Sequence, residues 1–431
     1  MQFFSTNGRA PRVSFREATI AGQAPDKGLY FPEKIPAFDK EMISNPQNFS
    51  RAELALMAIQ PYVGDSIPEH RLKTIVEETI SFDFPLVPVD EHIFSLELFH
   101  GPTMAFKDVG ARFMSRCLGY FVQGMDQKVT VLVATSGDTG GAVANGFYDV
   151  DGVDVVILYP SGKVSDVQER QLTTLGKNIR ALEVEGSFDD CQRMVKEAFV
   201  DEEIRKNLFL TSANSINVAR WLPQQFYYLF AWQDWPHKEM PPVVSVPSGN
   251  FGNICAGMLA AASGLPVKHF IAACNANDVV PKFLRSGNYQ PKATKHTLSN
   301  AMDVGDPSNF VRIMELFQQQ FESLKTVLSA DSISDAETEQ IMKDVFSRHH
   351  YLLDPHGAVG YGALKRYLQD HPNQSGYFLE TAHPLKFYDV VEKIIPGKTA
   401  LTSSVKELLI KEKKSEKIKA DAAVLKAFLL A

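Results

Sequence analysis

Twice in this chain an apolar run stops at a glycine-rich turn that opens at once into a small-residue helical pattern. Val129–Val133 leads into Ala134-Thr135-Ser136-Gly137-Asp138-Thr139-Gly140, and Val243–Val246 leads through Pro247 into Ser248-Gly249-Asn250-Phe251-Gly252-Asn253. Strands without polar alternation suit a parallel sheet covered on both faces. Further apolar runs at Val153–Tyr159, Leu208–Thr211 and around Phe378–Leu379 extend the pattern. Helical stretches lie between them. Val109, Phe113, Cys117 and Phe121 recur every fourth residue, and Gln192–Val200 and Arg220–Trp232 also read as helices. Alternating strands and helices predict an open α/β architecture. Ahead of it, helical patterns near Arg51–Ile59 and Glu69–Ile80 form a mixed opening, and a strand-like run follows at Ile93–Phe99.

Composition narrows the function. The 431 residues are 45% hydrophobic and carry a formal net charge of -7. No basic face suggests nucleic acid. The four cysteines are widely spaced without a CxxC pair, and read as reduced core thiols. His349, His350 and His356 beside Asp354 match no metal-ligand spacing, so no metal is expected. The apolar run Ile254–Ala262 is well short of the roughly 20 residues that span a bilayer. A cytoplasmic protein with small-metabolite partners is the expectation. The run KELLIKEKKSEKIK near the C-terminus reads as a solvated helical face.

The glycines do not serve a nucleotide. GKT at 397–399 lacks the earlier glycine of a P-loop, because Glu392 stands there, and no GxGxxG follows a strand. The 248–253 turn instead offers free N–H groups and a helix dipole to an anion, and contains no lysine or arginine. The 134–140 turn repeats that grammar and suits a carboxylate. A third segment, ELFHGPTMAFKDVGARF, sets Lys107 after Ala105-Phe106 at the start of the helix bearing Val109 and Phe113. Apolar neighbours strip a lysine of solvation and favour the neutral amine. Each segment alone is an ordinary turn or a surface lysine. Together they suit a cofactor with an aldehyde and a phosphate, acting on an amino acid.

These segments carry a resemblance. ELFHGPTMAFKD resembles the cofactor-lysine segment of the threonine synthase family, SGDTG the substrate-carboxylate loop of fold type II pyridoxal enzymes, and PSGNFGN their cofactor-phosphate loop. TSANSIN, LSNAMDVGDPSN and ETAHP fit the same family, and the likeness runs from near residue 10 to about 395. It implies the two-lobed, open twisted sheets of fold type II with an N-terminal extension domain. The implied division is 1–82 for that domain, 83–107 with 213–400 for the large lobe, 108–212 for the small lobe, and 401–431 for a helical tail. The implied cofactor is pyridoxal 5'-phosphate, in a Schiff base with Lys107, which also serves as acid and base. Gly249, Asn250, Phe251, Gly252 and Asn253 would hold its phosphate and Thr381 would face its ring nitrogen. Ser136, Gly137, Asp138 and Thr139 would receive the substrate. Asp354-Pro355-His356-Gly357-Ala358 resembles an EP-x-GA stretch near the ring.

The implied reaction converts O-phospho-L-homoserine and water to L-threonine and phosphate, in a monomer or small homo-oligomer. A related lyase, a dehydratase and a non-catalytic binder are the alternatives. Two phosphates must be held, and Arg112 and Lys163 are the cations expected for the second. One departure stands out. Where many relatives have asparagine in SGNTG this chain has Asp138, whose carboxylate would repel the cofactor's phenolate unless it turned away or shared a proton.

Overall fold

The apolar runs become strands of two separate parallel sheets, and the glycine-rich turns lie at their C-terminal ends. The computed structural model describes every residue except Asp126 and Ser136. A small antiparallel sheet opens the chain, with β1 (Gln2–Ser5) between β2 (Val13–Ser14) and β3 (Tyr30–Pro32). Helices Arg51–Val63 and Glu69–Thr79 follow, the first entered through a Ser50/Glu53 capping box. An antiparallel hairpin, β4 (Leu86–Asp90) and β5 (Ile93–Glu97), then leads to the helix Lys107–Phe121.

The smaller lobe takes β6 (Val129–Ala134), β7 (Val153–Pro160), β8 (Ile179–Glu185) and β9 (Phe209–Thr211). The larger takes β10 (Val243–Pro247), β11 (His269–Cys274), β12 (Leu328–Ser332) and β13 (Gly376–Glu380). A last strand, β14 (Ser415–Lys419), returns to β8. The large sheet runs β12-β11-β10-β13-β5-β4 and the small one β14-β8-β7-β6-β9. Within the large sheet Ser245 pairs with Phe378, and Glu380 with Glu97, in parallel. The loops after β5, β10 and β13 therefore leave one edge side by side, where ligands of open α/β sheets gather.

Two expectations change. Arg220–Trp232 is two helices, Val218–Trp221 and Gln225–Asp234, joined by a tight turn at Leu222–Gln224. Pro223 lacks an N–H and cannot continue the ladder. The charged run near the C-terminus is likewise no single helix. Helix Ser403–Ile410 ends, and the Ser415–Lys419 segment becomes the edge strand β14. Its lysines and glutamate face water there, as on many protected edges. The final helix Ala422–Leu430 buries Leu425 and Leu429 against Cys191 and Met194. The C-terminal segment thus packs on the small lobe. All four cysteines are buried and free.

Candidate active site

Lys107 opens its helix because the preceding segment is tied to the end of β13. Phe106 N–H donates to the Thr381 carbonyl at 2.8 Å, His383 N–H donates to the Met104 carbonyl at 3.0 Å, and Ala105 bridges Ala382. Thr381 is buried one residue away from that bridge. The Tyr227 hydroxyl donates to the Phe106 carbonyl from the opposite side. The backbone leading into Lys107 is therefore held on both sides.

Charge is dense around it. Lys107 Nζ lies 3.8 Å from Asp138 Oδ2, at the first residue of the helix Asp138–Phe147. The other oxygen, Oδ1, is 2.8 Å from Lys386 Nζ and accepts from Gln168 Nε2 at 3.0 Å. Lys386, fully buried, also donates to the Thr103 carbonyl at 2.9 Å. Thr103 bonds Asp108 through its N–H at 2.9 Å and its hydroxyl at 2.5 Å. Burial is the main force lowering the proton affinity of Lys107; Asp138 opposes it, and Lys386 and Arg220 add to it. Burial works the other way on Asp138, but Lys386 and then Lys107 hold its carboxyl well below the usual range. Asp138 is therefore an anion shared by two lysines and takes no shared proton.

The second glycine turn makes an opposite kind of surface. Phe251 takes a left-handed φ of 61° and starts the helix Gly252–Ala262. Gly249 is pressed onto the backbone of Met302, where a Cβ would come within 2.6 Å of its Cα. Asn250 Nδ2 donates to Ser215 Oγ at 2.7 Å, and its Oδ1 accepts from Ser308 N–H at 2.7 Å. Tyr228 donates to Asn253 Oδ1 at 2.7 Å, leaving buried Asn253 Nδ2 without a partner. An orphaned donor and a backbone cradle that tolerates no side chain fit an anionic group. With a half-buried lysine of lowered proton affinity across the strand ends, these residues fit pyridoxal phosphate.

Behind the Thr381 loop sits a third cluster. Asp354 caps the helix Pro355–Asp370, accepting from Gly357 N–H at 2.6 Å, and its Oδ2 lies 2.6 Å from His356 Nδ1. His356 Nε2 accepts from Ala301 N–H at 3.1 Å, which fixes the ring tautomer. Glu380 Oε1 accepts from Asp354 N–H at 2.8 Å, while Oε2 is buried without a hydrogen-bond partner. Burial first, then the charge of Asp354, raises Glu380 well above the carboxylate range.

Some expected residues lie apart. Gly137 is buried with φ 134°, and Thr139 is half-buried two residues on; Ser136 lies outside the described residues. Arg112 is five residues after Lys107, about 140° round the helix. Its guanidinium donates to the Glu78 carbonyl and, at 3.0 Å, to Ser81 Oγ. Lys163 is exposed on the turn after β7. Among the described hydrogen bonds and ion pairs, neither cation reaches Lys107, Asp138 or the 248–253 loop. No group of possible metal ligands occurs among the described residues.

Sequence reasoning missed Lys386, Gln168, Thr103, Ser215 and Arg220. Lys386 was legible in part. It lies between Leu385 and Phe387, inside the stretch that begins with ETAHP, much as Lys107 follows Ala105-Phe106.

A lysine at the N-terminus of its helix, faced by a glycine-rich anion cradle between two parallel sheets, defines the class: a pyridoxal-phosphate-dependent enzyme of the two-lobed type. The family model for pyridoxal-phosphate dependent enzymes matches residues 85–376. Models for the threonine synthase N terminus and C-terminal region match 2–80 and 357–429. The chain is 44% identical to the threonine synthase of Haemophilus influenzae, with 100% of both chains covered. The crystal structure of threonine synthase from Escherichia coli superimposes with a TM-score of 0.93 at 42% identity, covering 100% of this chain and 99% of that one. The PLP-bound threonine synthase from Brucella melitensis gives 0.93 at 35%, covering 100% and 98%. The chain belongs to the threonine synthase family. No helix among the described residues is long and apolar enough to cross a membrane.

Proposed function

We propose that this chain converts O-phospho-L-homoserine and water to L-threonine and phosphate, with Lys107 as the residue that holds the cofactor and moves protons. The observation that carries this reading is the half-buried Lys107 amine, 3.8 Å from Asp138, on the sheet edge that also bears the Gly249–Asn253 cradle. When bound, pyridoxal phosphate supplies an aldehyde for an amino group and a ring that draws electrons from the substrate's α-carbon.

The chain's own residues supply the rest. Lys107, freed by the incoming substrate, is kept a poor proton binder by burial, so its neutral amine can take the proton from Cα, and it can serve at Cβ only after handing that proton on. Backbone N–H groups of Gly249–Asn253 and the Asn253 amide would hold the cofactor's phosphate. Thr381 would offer a neutral hydroxyl to the ring nitrogen, which leaves that nitrogen mostly unprotonated and moderates its pull on electrons. The Asp138 carboxylate, held by Lys386, repels another anion, and Gly137 N–H already donates to Thr135 Oγ1 at 2.9 Å, so the first-turn N–H groups of Asp138 and Thr139 would receive the substrate carboxylate. Ser136 belongs to the same loop. Arg112 and Lys163 would reach the substrate phosphate only after a movement of the lobes, Arg112 releasing the Glu78 carbonyl. If Arg112→Ala and Lys163→Ala both leave KM for the phosphorylated substrate unchanged, that role fails.

The working units in this reading are 1–82, the large lobe of 83–107 and 213–400, and the small lobe of 108–212 with 401–431 added along β8. The setting is the cytoplasm and the assembly a monomer or small homo-oligomer. The test is to supply purified protein with pyridoxal phosphate and O-phospho-L-homoserine and to measure phosphate and threonine together. Equal amounts of both, lost in Lys107→Ala, are expected. Phosphate with 2-oxobutyrate would move the protein to the lyases.

A further inference from the structure

Two lysines, Lys386 fully buried and Lys107 half-buried, share one carboxylate, and only one of them is gripped. Lys386 Nζ has Asp138 Oδ1 at 2.8 Å and the Thr103 carbonyl at 2.9 Å, whereas Lys107 Nζ stands off at 3.8 Å from Oδ2. The ion pair Lys386–Asp138 is further pinned by the Gln168 amide, and Ser165 Oγ donates to the Lys386 carbonyl at 2.9 Å. Arg220, also buried, donates to the Ala213 carbonyl and leaves its Nε unpaired. The other carboxylate, Asp108, points into Thr103. The pocket thus gathers three basic side chains around two acids. Three cations with two anions in low dielectric are costly, and a guanidinium does not give up its proton. The loosely held lysine is the one to lose it.

We propose that Lys386 is a positioning residue of the reaction centre: it neutralises Asp138 so that Lys107, and not Lys386, is the neutral amine of the pair. This rests on the reading of Lys107 as the cofactor lysine. It also explains the aspartate in SGDTG, because with Lys386 beside it an anion at that position repels the cofactor's phenolic oxygen less. The groups facing Lys107 from each packed element are Asp138 on its helix, Lys386 on the Pro384–Phe387 turn, Arg220 on the Val218–Trp221 helix, and neighbouring Asp108.

The test uses the full-length holoenzyme and the pH midpoint of its visible cofactor absorbance, which reports the proton on the Lys107 nitrogen. Removing the cation in Lys386→Gln should raise that midpoint by about one pH unit or more, and removing the anion in Asp138→Asn should lower it by a similar amount. Lys386→Arg should stay near the wild type. Opposite shifts from two neighbouring substitutions are not what general loosening gives. An unmoved midpoint in Lys386→Gln overturns the proposal. If that variant does not fold, Asp138→Asn decides, and an unmoved or raised midpoint there overturns it. Borohydride reduction followed by peptide mass mapping separates the two failures. Label on Lys107 with unmoved midpoints sinks the role of Lys386 alone, and label elsewhere sinks the reading of Lys107 with it.

Discussion

At the phosphate-loop end Ser215 bonds Asn250 and Asn309 and Tyr228 bonds Asn253, all neutral groups, whereas at the lysine end Lys107, Asp138, Lys386, Asp108 and Arg220 crowd ionisable groups into largely buried space. Even a cation beside the loop's partners is kept back. Arg312 is fully buried, donates to Asn309 Oδ1 at 2.8 Å and to the carbonyls of Tyr30, Ser215 and Ile216, and so meets the loop through Asn309 and Ser215. A neutral end offers oriented donors whose strength does not change with pH. A charged end sets proton affinities, and small changes of charge or distance move them far. One end suits holding a group, the other suits moving protons.

The sharpest break of that contrast is at Lys107. Lys107→Met keeps most of the side-chain volume and removes the amine, so product formation should fall about 10³-fold or more. Stability should move the other way. Burial lowers the lysine's folded-state proton affinity, so below its ordinary value of 10.5 the unfolded chain holds the proton more tightly and the wild type loses stability. The variant's Tm at neutral pH should equal or exceed the parent's. A clearly lower Tm would mean that Lys107 holds the fold together.

At the neutral end Gly249→Ala is next in size. The new Cβ would meet the Met302 backbone at 2.6 Å, and neither backbone can step aside. Overpacking of about 1–3 kcal/mol corresponds to roughly 5–150-fold weaker cofactor retention. Equilibrium dialysis against pyridoxal phosphate measures it, and unchanged affinity would show that the loop is no cradle.

What was legible in the sequence follows the same division. The strand–glycine–helix turns were readable because chain-local chemistry writes them: apolar runs, then Gly and Asn at a helix start. β6 runs over Val129–Ala134, and β10 begins at Val243, as the apolar pattern indicated. The partners of Asp138 were not readable, because Gln168 and Lys386 come 30 and 248 residues later and meet it only through lobe packing. The edge strand β14 was hidden for a related reason. Its lysines and glutamate have no periodicity of burial, and its place is set by β8.

Glu380→Gln probes a carboxyl whose ionisation the fold disfavours. Burial raises the folded-state affinity of Glu380 above 4.5, so the wild type has its full stability below that pH and loses it as pH rises toward the raised value. Glutamine cannot ionise, and its amide can donate to Asp354 while its oxygen still accepts from the Asp354 N–H. Its Tm advantage should therefore be absent near pH 4 and grow to about 2 °C at mildly alkaline pH. A constant difference across that range would mean that Glu380 is ionised in the fold.

Ser215→Ala is the mildest change and isolates the neutral end. Ser215 Oγ accepts from Asn250 Nδ2 at 2.7 Å and Asn309 Nδ2 at 3.3 Å, so its loss frees two amides without adding or removing charge. Losing such bonds costs about 1 kcal/mol, or roughly five-fold in cofactor affinity. Because no charge is touched, the loss should be the same from neutral to mildly alkaline pH, and the midpoint of the cofactor band should stay where it was. A midpoint displaced by this substitution would show that the two ends communicate, and that the loop helps set the basicity of Lys107 as well as holding the phosphate.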